Sequence, residues 1–180
     1  MNPRVLCVIA DGFEEIETIS PVDLLRRAGA EVVVATIMPS IHVTGRSGIT
    51  MHADALLGDV MEQDFDLLFI PGGPGVKALR ADGRAAQLAQ RFGGQGKYVS
   101  AICAAPTVLH DAGLLAGKHF TAHFSVYPEL PEADKSERVV RDGKLVTSRG
   151  AGTAVEFGLA LVAELFGNEK ASEVSAAVMH

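Results

Sequence analysis

The stretch that decides the fold is residues 99–107, VSAICAAPT. Its first half predicts a buried strand, and its second half predicts the first turn of a helix, where the missing N–H of Pro106 costs nothing. Cys103 lies at the junction, where the free N–H groups and dipole of the helix favour the reactive thiolate. This strand–Cys–helix turn is the thiol counterpart of the serine nucleophile elbow. An unpaired cysteine among apolar residues is also typical of a small core side chain, so the rest of the chain has to decide.

The composition predicts one globular domain over residues 1–180. Apolar residues make up 48% of the chain and charged residues 21%, values typical of a folded domain with a full core. The net charge of −6 argues against nucleic acid as a partner, and no apolar run reaches membrane-spanning length. Cys7 and Cys103 imply no disulfide framework. We therefore expect a cytoplasmic protein that binds neither membranes nor nucleic acid.

Strands that alternate with helices predict an α/β fold, with a mostly parallel, doubly wound sheet and helices on both faces. The apolar runs predict strands at residues 4–10, 31–37, 66–70, 97–102 and 118–124, a small excursion off the sheet at 42–53, and a hairpin at 138–148. The helical patterns predict helices at residues 14–28, 54–61, 84–92, 104–112, 150–166 and 169–178.

The carboxyl ends of the strands form the binding edge of such a sheet. Four features of the sequence fall at that edge: the acid-rich turn after the first strand, the PGGPG loop at residues 71–75, Cys103, and the end of the predicted 118–124 strand. Their convergence favours the interpretation of Cys103 as a nucleophile.

Glu17 is the candidate acid partner of Cys103. It lies one turn into the first predicted helix beside apolar residues, where burial raises the pKa of a carboxyl group and lets it exchange protons near neutral pH. A solvated glutamate at a helix N-terminus is the alternative, although Glu14 and Glu15 already complement the helix dipole. We predict that the Glu17 carboxyl lies within hydrogen-bonding reach of the Cys103 sulfur.

The backbone N–H groups of Gly72, Gly73 and Ala104 are candidates for an oxyanion hole, and an ordinary tight strand–helix connection is the alternative. His123, at the end of a predicted strand, is a candidate to orient or activate Cys103, and a surface histidine is the alternative. His119 and His123 lie too far apart on a strand to share a metal ion, so we expect no metal site.

Several motifs together carry a family resemblance. They are residues 10–18 (ADGFEEIET), 21–29 (PVDLLRRAG), 70–73 (IPGG), 101–107 (AICAAPT) and 147–153 (TSRGAGT). As a set they resemble the ThiJ/PfpI superfamily over nearly the whole chain, in the branch of the Parkinson disease protein deglycase and its bacterial relatives. The resemblance implies a flavodoxin-like three-layer sandwich, a glutamine amidotransferase-like domain and a homodimer.

The same resemblance implies roles for individual residues. Cys103 corresponds to the family's reactive cysteine, which oxidises readily to a sulfinate, and Glu17 to the acid beside it. His123 corresponds to a nearby histidine that some bacterial relatives lack. The remaining assignments are backbone groups of Gly73 and Ala104 in an anion pocket, and Glu14, Arg27 and Arg46 as links between the pocket and the dimer interface.

The function implied by the resemblance is conversion of 2-oxoaldehydes, such as methylglyoxal and glyoxal, to hydroxy acids without a cofactor. Removal of their adducts from protein or nucleotide amines, which is deglycation, is the related reaction. A redox sensor or holdase chaperone that uses oxidation of Cys103 is the alternative. A cysteine peptidase is disfavoured because the peptidase branch carries a histidine after the nucleophile, where this chain has Ala104.

Overall fold

The protein contains nine strands in a computed structural model, which describes residues 2–180. They are β1 (Arg4–Ile9), β2 (Glu31–Thr36), β3 (His42–Thr44), β4 (Thr50–His52), β5 (Ala55–Leu56), β6 (Leu67–Ile70), β7 (Tyr98–Ile102), β8 (Val139–Asp142) and β9 (Leu145–Ser148). The main sheet has seven strands in the order β5-β2-β1-β6-β7-β9-β8, and β3 pairs with β4 in a separate hairpin. Within the main sheet only β8 runs antiparallel to its neighbour.

Helices cover both faces of the sheet. They are α1 (Glu15–Ala28), α2 (Leu57–Val60), α3 (Val76–Asp82), α4 (Arg84–Gly94), α5 (Pro106–Asp111), α6 (Ala154–Phe166) and α7 (Asn168–Ala177). Alternate residues of β1 point to opposite faces: Val5 and Cys7 pack with α1, α6 and α7, whereas Leu6 and Val8 pack with α2 to α5. The predicted α/β three-layer sandwich with a doubly wound sheet is confirmed.

The strand predicted at residues 118–124 is wrong. Only Thr121 forms a bridge, to Asp134, and Phe124–Val126 is a short 3-10 turn. The reason is that side chains occupy the N–H groups of this segment: Thr147 accepts from the Thr121 N–H at 2.9 Å, and an Asp142 carboxylate oxygen accepts from the His119 N–H at 2.9 Å. These groups are therefore not available for a strand ladder.

Three helix predictions also need correction. The helix predicted at residues 54–61 is limited to α2, because Ala55 and Leu56 pair with β2 as strand β5. Helix α3 was not predicted, because its seven residues follow directly on the glycine-rich loop and α4 follows after only Gly83. Helix α5 begins at Pro106 and not at residue 104, since Ala104 and Ala105 form the turn that follows Cys103. Within residues 2–180, none of the helices combines the length and the apolar character needed to cross a membrane.

Candidate active site

Cys103 lies on a strained turn at the carboxyl end of β7. Its φ angle is +66°, in the left-handed region that costs a residue with a Cβ about 1–2 kcal/mol. The turn is held by the Cys103 N–H, which donates to the Ser148 carbonyl at 2.9 Å, and by the Ala105 N–H, which donates to the Ile102 carbonyl at 3.1 Å. Such strain persists only where the surroundings enforce it, and here it lifts a partly exposed thiol out of the sheet. The geometry matches the predicted elbow.

Glu17 meets the thiol from the first turn of α1. Glu14 caps this helix, because its carboxylate accepts from the Glu17 N–H at 2.7 Å. The Glu17 side chain is only 1% exposed and accepts from the Gly72 N–H at 3.0 Å. Its carboxyl group also makes a side-chain hydrogen-bonding contact with Cys103. The predicted proximity of the two side chains is therefore found.

Burial is the main reason that the pKa of Glu17 rises, to about 7. The negative charge of Glu14 raises this pKa further, whereas hydrogen bonds from Cys103 and Gly72 and the positive charge of Arg46 lower it. The Glu17 carboxyl is thus poised to gain or lose a proton near neutral pH. The predicted rise is confirmed.

The prediction that helix donors keep the Cys103 thiol ionised is wrong. Burial, followed by the charge and hydrogen bond of Glu17, raises the pKa of the thiol to about 12, and this outweighs the Gly73 and Ala104 N–H bonds that lower it. The thiol and the carboxyl group therefore titrate as one coupled pair that holds a proton at neutral pH.

The glycine-rich loop after β6 contributes two different groups. The N–H of Gly73 reaches the sulfur together with that of Ala104, which leaves both as candidates for an anion pocket. Gly72 does not belong to that pocket, because its N–H is already bonded to Glu17. A Cβ at Gly72 would lie 2.6 Å from the Cβ of Cys103 and 2.6 Å from Oε2 of Glu17. Gly72 is thus what allows the acid and the thiol to approach each other.

His123 lies beside the pair without bonding to the sulfur. Its backbone N–H donates to the Cys103 carbonyl at 2.9 Å, and its ring Nδ1 bonds to the Ser125 hydroxyl at 2.8 Å. Among residues 2–180, no hydrogen bond joins the His123 ring to the thiol, so activation of Cys103 through that ring stays a prediction. Burial and then the charge of Arg46 lower the pKa of His123, which keeps the ring neutral at pH 7.

A pocket of about 500 Å³ opens above the thiol. Its lining includes the predicted residues Glu14, Glu17, Arg46, Gly73, Cys103, Ala104 and His123. Arg27 is not among them: it forms an exposed ion pair with Asp23 on α1, and its dimer role stays a prediction. The sequence interpretation missed Lys77, Arg80 and Glu129, which also line the pocket. Both basic residues lie on the unpredicted helix α3, so no signal pointed to them.

The described residues offer no evident metal site. Within residues 2–180 no cluster of three or more His, Cys, Asp or Glu side chains could hold a metal ion. His119 instead pairs with Asp134 at 2.9 Å, on the surface.

Comparison with known proteins gives one consistent family. The chain matches the DJ-1/PfpI family over residues 3–164. It is 37% identical over 181 residues to the DJ-1 homolog B of Arabidopsis thaliana, covering 99% of this chain and 41% of that protein. The chain thus spans less than half the length of this plant relative.

Two shorter relatives carry names that suggest an activity. A deglycase of Pyrococcus abyssi is 34% identical over 152 residues, covering 83% of this chain and 91% of the relative. YraA of Bacillus subtilis, named as a candidate cysteine protease, is 39% identical over 152 residues, covering 83% of this chain and 90% of the relative. Among solved structures, oxidized Toxoplasma gondii DJ-1 superposes with a TM-score of 0.94 at 36% identity, covering 99% of this chain and 98% of that one.

Proposed function

The chain belongs to the DJ-1/PfpI family, and from that premise we propose that it is a cysteine-dependent enzyme that converts 2-oxoaldehydes to hydroxy acids without a cofactor. The observation that carries the proposal is the coupled pair of the Cys103 thiol and the Glu17 carboxyl group at the floor of an open pocket. A nucleophile and a proton carrier in contact are what addition to an aldehyde requires.

The first step is addition of the Cys103 sulfur to the aldehyde carbon. The thiol proton passes to the Glu17 carboxylate and from there to the carbonyl oxygen, so that a neutral hemithioacetal forms. The Gly73 and Ala104 N–H groups, which point at the sulfur, are placed to stabilise negative charge that develops next to it. Because Glu17 has a pKa of about 7, neither gain nor loss of this proton is costly at neutral pH.

The second step moves hydrogen between the two carbons of the substrate. Glu17 removes the proton from the carbon bonded to sulfur and returns it to the neighbouring carbon, while one proton moves between the two oxygens. The product is the thioester of a 2-hydroxy acid. Water then adds to the thioester, the C–S bond breaks, and the hydroxy acid leaves as Cys103 regains its proton. His123 borders the same space and is a candidate to move the oxygen-bound proton.

The size of the pocket supports a second substrate class. A volume of about 500 Å³ exceeds what a three-carbon aldehyde fills, since drug-sized ligands occupy pockets of this range. Glyoxal adducts of protein or nucleotide amines would fit, and the relative from Pyrococcus abyssi is named a deglycase. Deglycation uses the same thiol–acid pair.

The test is formation of lactate from methylglyoxal by the purified protein. Cys103→Ala removes the nucleophile and abolishes turnover, and Glu17→Gln lowers kcat about 10²–10⁴-fold, the contribution expected of a general acid–base group. Cys7→Ala is the matched control, because Cys7 is fully buried in β1, and it retains turnover. Full turnover in Cys103→Ala overturns the proposal. If the wild type forms no lactate but cleaves casein, the protein is a peptidase, the activity for which the Bacillus relative is named.

A redox sensor or holdase is the second candidate. The observation that favours it is that Cys103 is the partly exposed cysteine and Cys7 the buried one, so oxidation has one target. Two peroxide molecules would oxidise the thiol to a sulfinate and add about 32 Da. Absence of lactate formation in the wild type, together with rapid mass gain at Cys103, would favour this candidate.

We also propose that the protein is a cytoplasmic homodimer. Ile16 and Ile19 on α1 are 53% and 47% exposed, and Ile49 on the adjacent hairpin loop is 61% exposed. Apolar side chains grouped in this way support an interface, and two free cysteines suit a reducing compartment. Light scattering should give twice the monomer mass, and Ile19→Lys should shift it toward the monomer. A monomeric wild type contradicts the dimer.

A further inference from the structure

Arg80 of α3 forms a double fork in the wall of the pocket. Its Nε and Nη2 donate to Asp111 at 2.7 and 2.8 Å, and its Nη1 and Nη2 donate to Glu129 at 3.0 and 2.5 Å. The planar guanidinium thereby holds two carboxylates at once, a geometry that lysine cannot reproduce. Single surface ion pairs contribute little to stability, but a bidentate network such as this one is the exception.

The fork connects three of the four parts of the chain that form the site. Helix α3, with Arg80, follows the loop that contains Gly73, and helix α5, with Asp111, follows Cys103. Glu129 belongs to residues 123–130, which begin at His123 and form one side of the pocket; we call these residues the wall segment. Arg80 therefore links the helix that follows the Gly73 loop to the helix that follows Cys103 and to the wall segment, whereas α1, which carries Glu17, lies outside this network.

The fork supplies the hydrogen bonds that hold the middle of the wall segment to the rest of the protein. Its ends are fixed, because the His123 N–H donates to the Cys103 carbonyl at 2.9 Å and Leu130 is buried. Between them, Val126 and Tyr127 pack partly on the core. Among residues 2–180, the bonds from Arg80 to Glu129 are the only hydrogen bonds that tie residues 124–129 to the chain outside the wall segment.

We propose that Arg80 is a positioning residue: by bonding Glu129 and Asp111 together, it holds the wall segment over the Cys103 thiol and sets which molecules reach it. The inference rests on the proposed function where it concerns substrates, but the hold of Arg80 on the wall segment, which we call the tether, can be measured without turnover. When the fork is lost, residues 124–129 move away from the thiol, the Ser125 hydroxyl that holds the His123 ring moves with them, and the pocket admits bulkier electrophiles.

The test compares how fast a small and a bulky reagent modify Cys103, followed by intact-protein mass. The reagents are iodoacetamide and N-phenylmaleimide, and Cys7 does not interfere because it is fully buried. In Arg80→Ala, the rate of modification by N-phenylmaleimide divided by the rate of modification by iodoacetamide should rise on the order of fivefold. This is the rise expected when the segment opens locally because a charged hydrogen-bond network is lost. Glu129→Gln and Arg80→Lys, which weaken the fork, should give smaller rises.

Further variants distinguish the effect of losing the tether from the effect of a general loss of stability. Arg84→Ala is the matched control, since Arg84 makes a bidentate pair with Asp82 away from the pocket, and its ratio should equal that of the wild type. The double variant Arg80→Ala/Glu129→Ala should match Arg80→Ala alone, because the two residues act as one unit. For methylglyoxal, kcat should fall in Arg80→Ala while KM changes little.

The outcomes decide the proposal in either direction. An unchanged ratio in folded Arg80→Ala, or an equal rise in Arg84→Ala, overturns it. If Arg80→Ala does not fold, Arg80→Lys and Glu129→Gln decide by the same criterion. If the wild type makes no lactate but the ratio rises as expected, the proposed activity fails and the positioning role of Arg80 stands.

Discussion

At the scale of single residues, the site is defined by strain and by burial of charge. Cys103 is held at a φ angle of +66°, and Glu17 is almost fully enclosed beside it. Both conditions lower the free energy of unfolding, and a core without a functional site would avoid this loss. Local cost of this kind is characteristic of functional sites.

The strain predicts an unusual order of stability at position 103. Cys103→Gly should be more stable than Cys103→Ala by about 1 kcal/mol, because glycine adopts a positive φ without the steric cost of a Cβ. Urea unfolding of both variants measures the difference. At Cys7, in the extended strand β1, the order should reverse. Equal stability of Cys103→Gly and Cys103→Ala would show that the turn is not strained.

Glu17→Gln should stabilise the protein at alkaline pH while it lowers activity. Because the folded pKa lies above the ordinary value, the protonated form favours folding, and this stability is present below pH 4.5 and is lost as pH rises through about 7. The difference between 4.5 and about 7 corresponds to about 3 kcal/mol. Urea unfolding should show that gain at pH 8 and little at pH 4. A variant less stable than wild type at pH 8 would contradict the burial of charge.

The sequence could predict some properties of these residues and not others. Cys103 and Glu17 stood out because a cysteine at a strand–helix junction and an extra acid between apolar residues are both visible in the chain. The raised pKa of the thiol was not predictable, because it depends on a carboxyl group enclosed against the sulfur. The use of the Gly72 N–H by Glu17 likewise depends on a contact between residues 55 positions apart.

At the scale of elements, the position of Glu17 depends on how α1 packs on α6. Gly158 of α6 lies against α1, where a Cβ would stand 2.7 Å from Cδ1 of Leu24 and 2.9 Å from the Cα of Pro21. The absence of a side chain at Gly158 therefore lets the two helices approach closely. A side chain at position 158 would clash with Leu24 and Pro21 of α1, the helix that carries Glu17.

Gly158→Ala should destabilise the protein by about 1–3 kcal/mol, the usual cost of overpacking, although alanine is the better helix former. Gly94→Ala in α4 is the control: nothing lies within 4 Å of the added Cβ, and the change should stabilise by up to about 1 kcal/mol. Thermal unfolding measures both. If Gly158→Ala is as stable as the wild type, the two helices do not pack as closely as described.

Elements with a strong apolar period were predictable, and elements defined by their neighbours were not. Strands β1, β6 and β7 follow from continuous apolar runs. The 118–124 segment has the composition of a strand, but the side chains of Thr147 and Asp142 occupy its N–H groups. Helix α3 is short and follows a run of glycines and prolines, so the sequence carried no period that could reveal it.

At the scale of the whole molecule, the topology brings distant parts of the chain to one edge. The site combines the N-terminus of α1, the loop after β6, the turn after β7 and the wall segment, and the first three lie at the carboxyl ends of parallel strands or directly after them. That convergence was predictable from the alternation of strands and helices. The network of Arg80 with Asp111 and Glu129 was not, because it depends on how three separate elements meet in space.

The central claim is that the Cys103 thiol and the Glu17 carboxyl form one coupled pair, and the most direct test is the pH dependence of Cys103 alkylation. Iodoacetamide modification from pH 5 to pH 10, followed by intact mass, compares the wild type with Glu17→Gln. Since Glu17 raises the pKa of the thiol, the thiolate should appear at distinctly lower pH in Glu17→Gln than in the wild type. Superimposable profiles would contradict the account.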